Sequence, residues 1–158
     1  AAVVVGKAVG AGDYTLVRAY SRTIQVMFLL IGLVMSLVVF LLRWPFIGLY
    51  SLDAQTAALA ATMVAICAPT LIGTTYHASC FVGINRGAGD SRFVMMVDMI
   101  CGWLVVLPLA ALSAFVLHLP LHWIYFMTRI DQTFKWLIAW LRLRGNKWIH
   151  NVTREAAP

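Results

Sequence analysis

The sequence predicts an all-α fold, a polytopic transmembrane helix bundle. Three observations carry that prediction: a composition too apolar for a water-facing exterior, a succession of apolar runs of bilayer length, and one polar glycine corner written twice. Of 158 residues, 62% are hydrophobic and 11% are charged, with a mean hydropathy of +0.87. A soluble domain carries about 25% charged and roughly 45–50% apolar residues. Folding this chain therefore leaves apolar side chains outside, and lipid is the surrounding that accepts them.

The first element covers about residues 1–9. The chain opens on AAVVV without a Met, which reads as the tail end of an apolar helix, so a fragment of a longer protein beginning inside a span is expected. A signal peptide needs a basic region, a short apolar core and a small-residue cleavage site, and the opening has no such pattern.

The glycine corner follows. Residues 5–13 read VGKAVGAGD and residues 82–90 read VGINRGAGD. Glycine reaches backbone conformations that end helices, and aspartate accepts hydrogen bonds from the free N–H groups that open them. Gly-Ala-Gly-Asp thus reads as a helix stop followed by a helix start, with Gly12 and Asp13 in the first copy and Gly89 and Asp90 in the second. Gly6 with Gly10, and Gly83 with Gly87, put small residues four apart on one face, where a neighbouring helix can approach closely. A phosphate-binding reading needs a preceding strand and a fuller glycine fingerprint, and both are missing.

Crossing a hydrocarbon core of ~30 Å takes about 20 helical residues. Residues 24–42 qualify, fenced by Arg22 and Arg43. Residues 54–84 begin after Asp53, end before Arg86 and exceed one span, which predicts tilt or overshoot. Residues 93–117 contain Asp98. Residues 121–141 form the fourth run and carry Arg129, Asp131 and Lys135. Pro69 and Pro108 lie inside two of these runs; each removes a backbone hydrogen bond, which makes a static kink or a hinge. Residues 142–158 make a basic tail.

Two spans separate the two corners, and two more lead to the tail, so all three face one compartment. Lys7, Arg18, Arg22, Arg86, Arg92, Arg142, Arg144, Lys147 and Arg154 lie on that side, and Arg43 alone lies on the other. Cytoplasmic loops carry the excess of Lys and Arg, which places the corners and the C-terminus in the cytoplasm of a multi-pass plasma-membrane protein. The same residues account for much of the +6 net charge. Membrane lipids with anionic headgroups are their expected partners; nucleic acid is not expected.

The charges inside the apolar runs are the candidate chemistry. Asp131 and Lys135 are four apart and share a helix face. Asp98 enters its run from the cytoplasmic side, and the third and fourth runs are antiparallel, so Asp98 and Lys135 fall at similar depth. An Asp98–Lys135–Asp131 cluster is expected, with Arg129 needing its own partner or water, because an isolated charge at that depth costs several kcal/mol. Two readings of the cluster stand side by side: a coupling or gating element, or a fixed interhelical ion pair. In TLIGTTYHAS, a polar stripe of Thr74, Thr75, Tyr76 and His77 should face the bundle interior. His118 and His122 are four apart, but Pro120 lies between them and no third ligand is near, so interfacial residues are expected and no metal site. Cys67, Cys80 and Cys101 lie in apolar runs without C-x-x-C spacing and read as packed thiols. Asn151-Val152-Thr153 matches a glycosylation sequon, which a cytoplasmic tail would leave unused.

VGKAVGAGDYTLVRAY, one span, RWPFIGLYSLD, and a second span ending in VGINRGAGDSRF together resemble the C-terminal half of a MATE (multidrug and toxic compound extrusion) transporter. WLVVLPLA in the third run and WLRLRGNKW after the fourth are similar to that family too. The resemblance implies about half of a twelve-helix, two-bundle transporter: the end of the eighth helix and the ninth to twelfth, with the N-terminal bundle of the same protein as partner. It implies export of cationic, amphipathic compounds through a central cleft in exchange for H⁺ or Na⁺, with no bound cofactor. Some MATE proteins place a carboxylate in the helix that corresponds to residues 54–84 as a cation ligand. This sequence has none between Asp53 and Asp90, which points to proton coupling through the other bundle. A lipid-linked saccharide flippase of related plan would want a more basic cavity. A membrane-embedded enzyme would need a catalytic triad or H-E-x-x-H pattern, which the sequence lacks.

Overall fold

A computed structural model describes residues 1–145 and 148–150. Five helices follow one another and, among the described residues, there is no strand. Helix α1 is Ala2–Ala11 and α2 is Tyr14–Ile47. Helix α3 is Ala54–Asn85 and α4 is Ser91–Val116. Helix α5 is Leu121–Arg144.

Helices α2, α3 and α4 are long and apolar enough to cross a membrane. Helix α5 has the length, 24 residues, but is not apolar enough to be counted with them, because Arg129, Asp131 and Lys135 lie within it. At 34 residues, α2 is about 51 Å long, well beyond a ~30 Å core, so its first turns project past the apolar run. It also continues through Arg43 to Ile47, across Pro45. In a last turn, proline deletes one bond instead of interrupting a ladder.

Pro69 sits within regular α-helix, whereas the backbone around Pro108 is wider. Cys101–Val106 and Leu112–Val116, on either side of Leu107–Ala111, are π-helical. The pyrrolidine ring pushes on the carbonyl one turn earlier, and a π-turn is one way to absorb it. The end of α3, Ser79–Asn85, is π-helical as well.

Packing is concentrated at one end. Val5 and Val9 of α1, Val17 of α2, Cys80, Phe81 and Ile84 of α3, Val94 and Cys101 of α4, Ala139 of α5 and Trp148 beyond it are all buried in one cluster. These residues surround the two glycine corners. Away from them the apolar side chains point outward: Leu30, Leu33, Leu37 and Leu41 of α2 and Trp103, Leu104 and Leu107 of α4 are exposed. An exterior of this kind is what a lipid-facing bundle presents. Midway along, Gly32 lets α2 close on α3; a Cβ there would fall on the Thr75 hydroxyl. Small residues at such crossings let backbones approach.

Both corners turn through a left-handed glycine, Gly12 at φ 78° and Gly89 at φ 87°. Asp13 then accepts a 2.9 Å hydrogen bond from the Leu16 amide and caps α2. Asp90 departs from the expected role, since its side chain caps nothing. It is buried and engaged by Arg142 instead, because a guanidinium reaching in from another helix offers a charge-assisted bond stronger than an amide's.

Candidate functional site

The two corners are built against each other. Gly6 stands so close to the second copy that a Cβ would meet the Gly87 carbonyl oxygen at 3.2 Å. A Cβ on Gly87 would meet the Ala2 oxygen at 2.7 Å, and one on Gly83 would meet the Ala1 methyl at 2.8 Å. Helix α1 thus runs over the end of α3 with backbones nearly touching. Gly10, the counterpart of Gly87, is exposed. Asp90 accepts from Arg142 Nε at 2.9 Å and Nη2 at 2.8 Å, and His150 Nε2 lies 3.7 Å from its other oxygen. The His150 amide donates to the Ala88 carbonyl at 2.9 Å, so the segment after α5 folds back on the second corner.

The structure brings Asp98, Asp131 and Lys135 together. Lys135 Nζ lies 3.3 Å from Asp98 Oδ1 and 3.3 Å from Asp131 Oδ2. Lys135 and Asp131 are largely sequestered, with side chains 14% and 7% exposed, whereas Asp98 is 42% exposed. Asp98 also borders a cavity of about 390 Å³ lined by Gly102, Trp103 and Leu107. The cluster ties α4 to α5 and opens on one side. Arg129 is not part of it: its Nη2 donates to the Tyr125 hydroxyl at 2.7 Å and its guanidinium lies over the same ring.

Helix α3 carries the polar stripe between α2 and α5, and most of its hydroxyls are spent on its own backbone. Thr75 donates to the Leu71 carbonyl at 2.9 Å, and His77 Nδ1 is 3.1 Å from the Gly73 oxygen. Two members reach further. Tyr76 donates to Gln25 Oε1 of α2 at 2.7 Å, and Thr74 donates to Gln132 Oε1 of α5 at 3.2 Å. Tyr76 also stacks edge-on against Trp136, ring centroids 6.0 Å apart. Gln25 and Gln132 are functional candidates that sequence reasoning missed; an amide inside an otherwise apolar run was the available signal for both.

A cavity of about 650 Å³ opens where these helices meet. Its apolar walls include Leu29, Ile66, Ile72, Phe126 and Trp136, and its polar groups are Thr70, Arg129, Gln132 and Thr133. That size and makeup, mostly apolar with a few convergent polar groups, is typical of small-molecule sites. The stripe supplies an edge to it through the Thr74–Gln132 bond.

His118 adopts a positive φ of 46° at the turn before α5, and the His122 ring packs near Trp123 at 6.0 Å. Cys80 and Cys101 are buried and Cys67 is half-buried, all as free thiols. The Asn151–Thr153 sequon, Lys147 and Arg154 lie outside the described residues.

Comparison with known proteins agrees with this architecture. Over 123 residues the chain is 29% identical to an uncharacterized transporter of Schizosaccharomyces pombe, covering 77% of this chain and 22% of that protein. The chain therefore spans about a fifth of that relative's length. No solved structure matches the chain. The family model MatE matches residues 1–112, from α1 through both corners and most of α4. With apolar helices long enough to cross a membrane and this match over most of its length, the chain belongs to the MatE family of membrane transporters.

Proposed function

We propose that this chain forms half of the translocation pathway of a secondary efflux transporter, which exports cationic amphipathic compounds in exchange for H⁺ or Na⁺. One observation carries the reading: the cavity of about 650 Å³ between α2, α3 and α5, apolar and aromatic in most of its lining. Phe126 and Trp136 offer ring faces to a cation. Arg129 is turned onto Tyr125, whose ring and hydroxyl both engage its guanidinium.

The excess of Lys and Arg at the corner end supports a cytoplasmic location for both corners and the C-terminus. It also supports a crossing by α5, since the basic residues at its end lie beside the second corner. An N-terminal bundle would supply the opposite wall of the cleft. The Asp98–Lys135–Asp131 cluster is the coupling or gating candidate of this half, because a proton or ion taken up by either carboxylate changes how strongly Lys135 holds α5 to α4 through Asp98.

Ethidium efflux by the intact protein in everted vesicles tests the reading. Export that collapses when the proton or sodium gradient is dissipated is the expected result. Asp131→Asn then separates coupling from architecture. Loss of transport with an unchanged thermal midpoint supports coupling, and full-rate transport with a lowered midpoint assigns the cluster to packing.

A further inference from the structure

Helices α2 and α5 make a second, chemically different cavity near the corner end, about 360 Å³ in volume. Arg18, Ser21, Arg22 and Gln25 line it from α2, an i, i+3, i+4, i+7 stripe on one helix face. Trp140, Leu143 and Arg144 line it from α5, and Trp148 closes it from the segment beyond. Three arginines line this cavity, and none of the described residues in its lining carries a carboxylate.

The last turn of α5 sorts its two arginines. Arg142 goes to Asp90; Arg144, two residues on and so on another face, stacks over Trp140 at 3.7 Å beside the cavity. Trp148 is 2% exposed and holds its wall in place, while the adjoining His150–Ala88 backbone bond anchors the segment. Gln25 is already held by Ser21 and Tyr76, so the floor is preorganised as well. Arg22 marks the end of the apolar run of α2, at the depth where headgroups lie.

We infer that this three-arginine cavity is a binding site for a phosphate-bearing anion at the membrane surface. Planar guanidiniums match phosphate oxygens two at a time, and basic pockets between membrane helices are suited to anionic headgroups. An anionic phospholipid from the adjoining leaflet and a soluble phosphate share this chemistry. The inference goes beyond the transport reading and does not depend on which compound the protein exports.

Lipid retention by the intact protein, measured by native mass spectrometry after extraction from nanodiscs, tests it. Nanodiscs of phosphatidylcholine alone are compared with ones doped with phosphatidylglycerol. The expected result is selective retention of phosphatidylglycerol, reduced roughly 25-fold in affinity by Arg22→Gln with Arg144→Gln, at about fivefold per charge removed. Arg22→Lys should keep most of the retention, and Arg43→Gln, at the far end of α2, all of it. Arg22→Gln alone serves if the double variant does not fold, with about a fivefold loss expected. Displacement of the lipid by millimolar inorganic phosphate assigns the site to the phosphate group itself, and resistance to it assigns the site to the whole lipid. Equal retention of both lipids together with no thermal stabilisation by inorganic phosphate overturns the inference. So does an Arg43→Gln loss as large as that of Arg22→Gln, since that is general surface charge.

Discussion

The two Gly-Ala-Gly-Asp corners have the same four residues and the same left-handed glycine, yet their aspartates do different work. Asp13 is exposed and caps the helix that follows it. Asp90 is buried, caps nothing, and binds Arg142 from the far end of the chain. The glycines differ likewise: Gly87 is pressed against the backbone of α1, whereas its counterpart Gly10 is exposed. A tetrapeptide thus specifies a turn, while the surroundings decide what its side chains hold. The first corner is a local device, and the second is the point where α1, α3, α4 and the segment beyond α5 are fastened together.

The widest gap between the corners is expected at the aspartates. Asp90→Ala removes the buried carboxylate that Arg142 binds with two nitrogens, which costs about 3 kcal/mol. Adding Arg142→Ala to it should cost less than the two single changes summed, and chemical unfolding of the four proteins measures that coupling. Additive losses would mean that the pair seen here contributes nothing and that the corners are equivalent.

Gly87→Ala comes next. Its methyl meets main-chain atoms of α1, which cannot swing aside, so a loss of roughly 2 kcal/mol is expected from overpacking. At Gly6 the added carbon meets one oxygen at 3.2 Å, so Gly6→Ala should cost less. A reversed order in their thermal midpoints would contradict the close approach of α1 and α3.

Asp13→Ala should cost about 1 kcal/mol, the ordinary value of a helix cap, and Asp13→Ser should recover most of it. A loss as large as that of Asp90→Ala would erase the contrast.

The smallest effect belongs to Asp53, a second local cap, which accepts from the Thr56 amide at 3.1 Å. Hydrogen bonds from Thr56 hold its carboxyl below the usual value of 3.8. Its folded form therefore favours ionisation, so the cap's contribution is present above about pH 4 and fades as pH falls below that. Comparing thermal midpoints of the parent and Asp53→Asn from pH 5 to pH 3 checks the sign: the parent should lose more over that interval.

The candidate site was legible to different depths. Asp131 and Lys135 are four apart on one helix, and Asp98 is set at matching depth by the antiparallel run, so spacing and depth are enough to bring these three together. Arg129 is different, since nothing in its spacing from Asp131 names Tyr125 as partner, although Tyr125 is itself four residues away. The Tyr76–Gln25 and Thr74–Gln132 bonds join residues more than fifty positions apart, and periodicity carries no information on such pairs. The three-arginine cavity was equally out of reach, because Arg18, Arg22 and Arg144 were readable only as flanking charges until α2 and α5 were seen to face one cavity.

The sequence by itself determined the class of solvent, the helical runs and the two turns. Those follow from hydropathy summed over about twenty residues and from the backbone freedom of glycine, both of which act locally. Only the tertiary structure decided which copy of the corner became the fastening point, where Arg142 and Arg144 part company, and which polar groups of α3 reach another helix. Each of these depends on two distant surfaces meeting at a distance of about 3 Å, the range over which hydrogen bonds and close packing act.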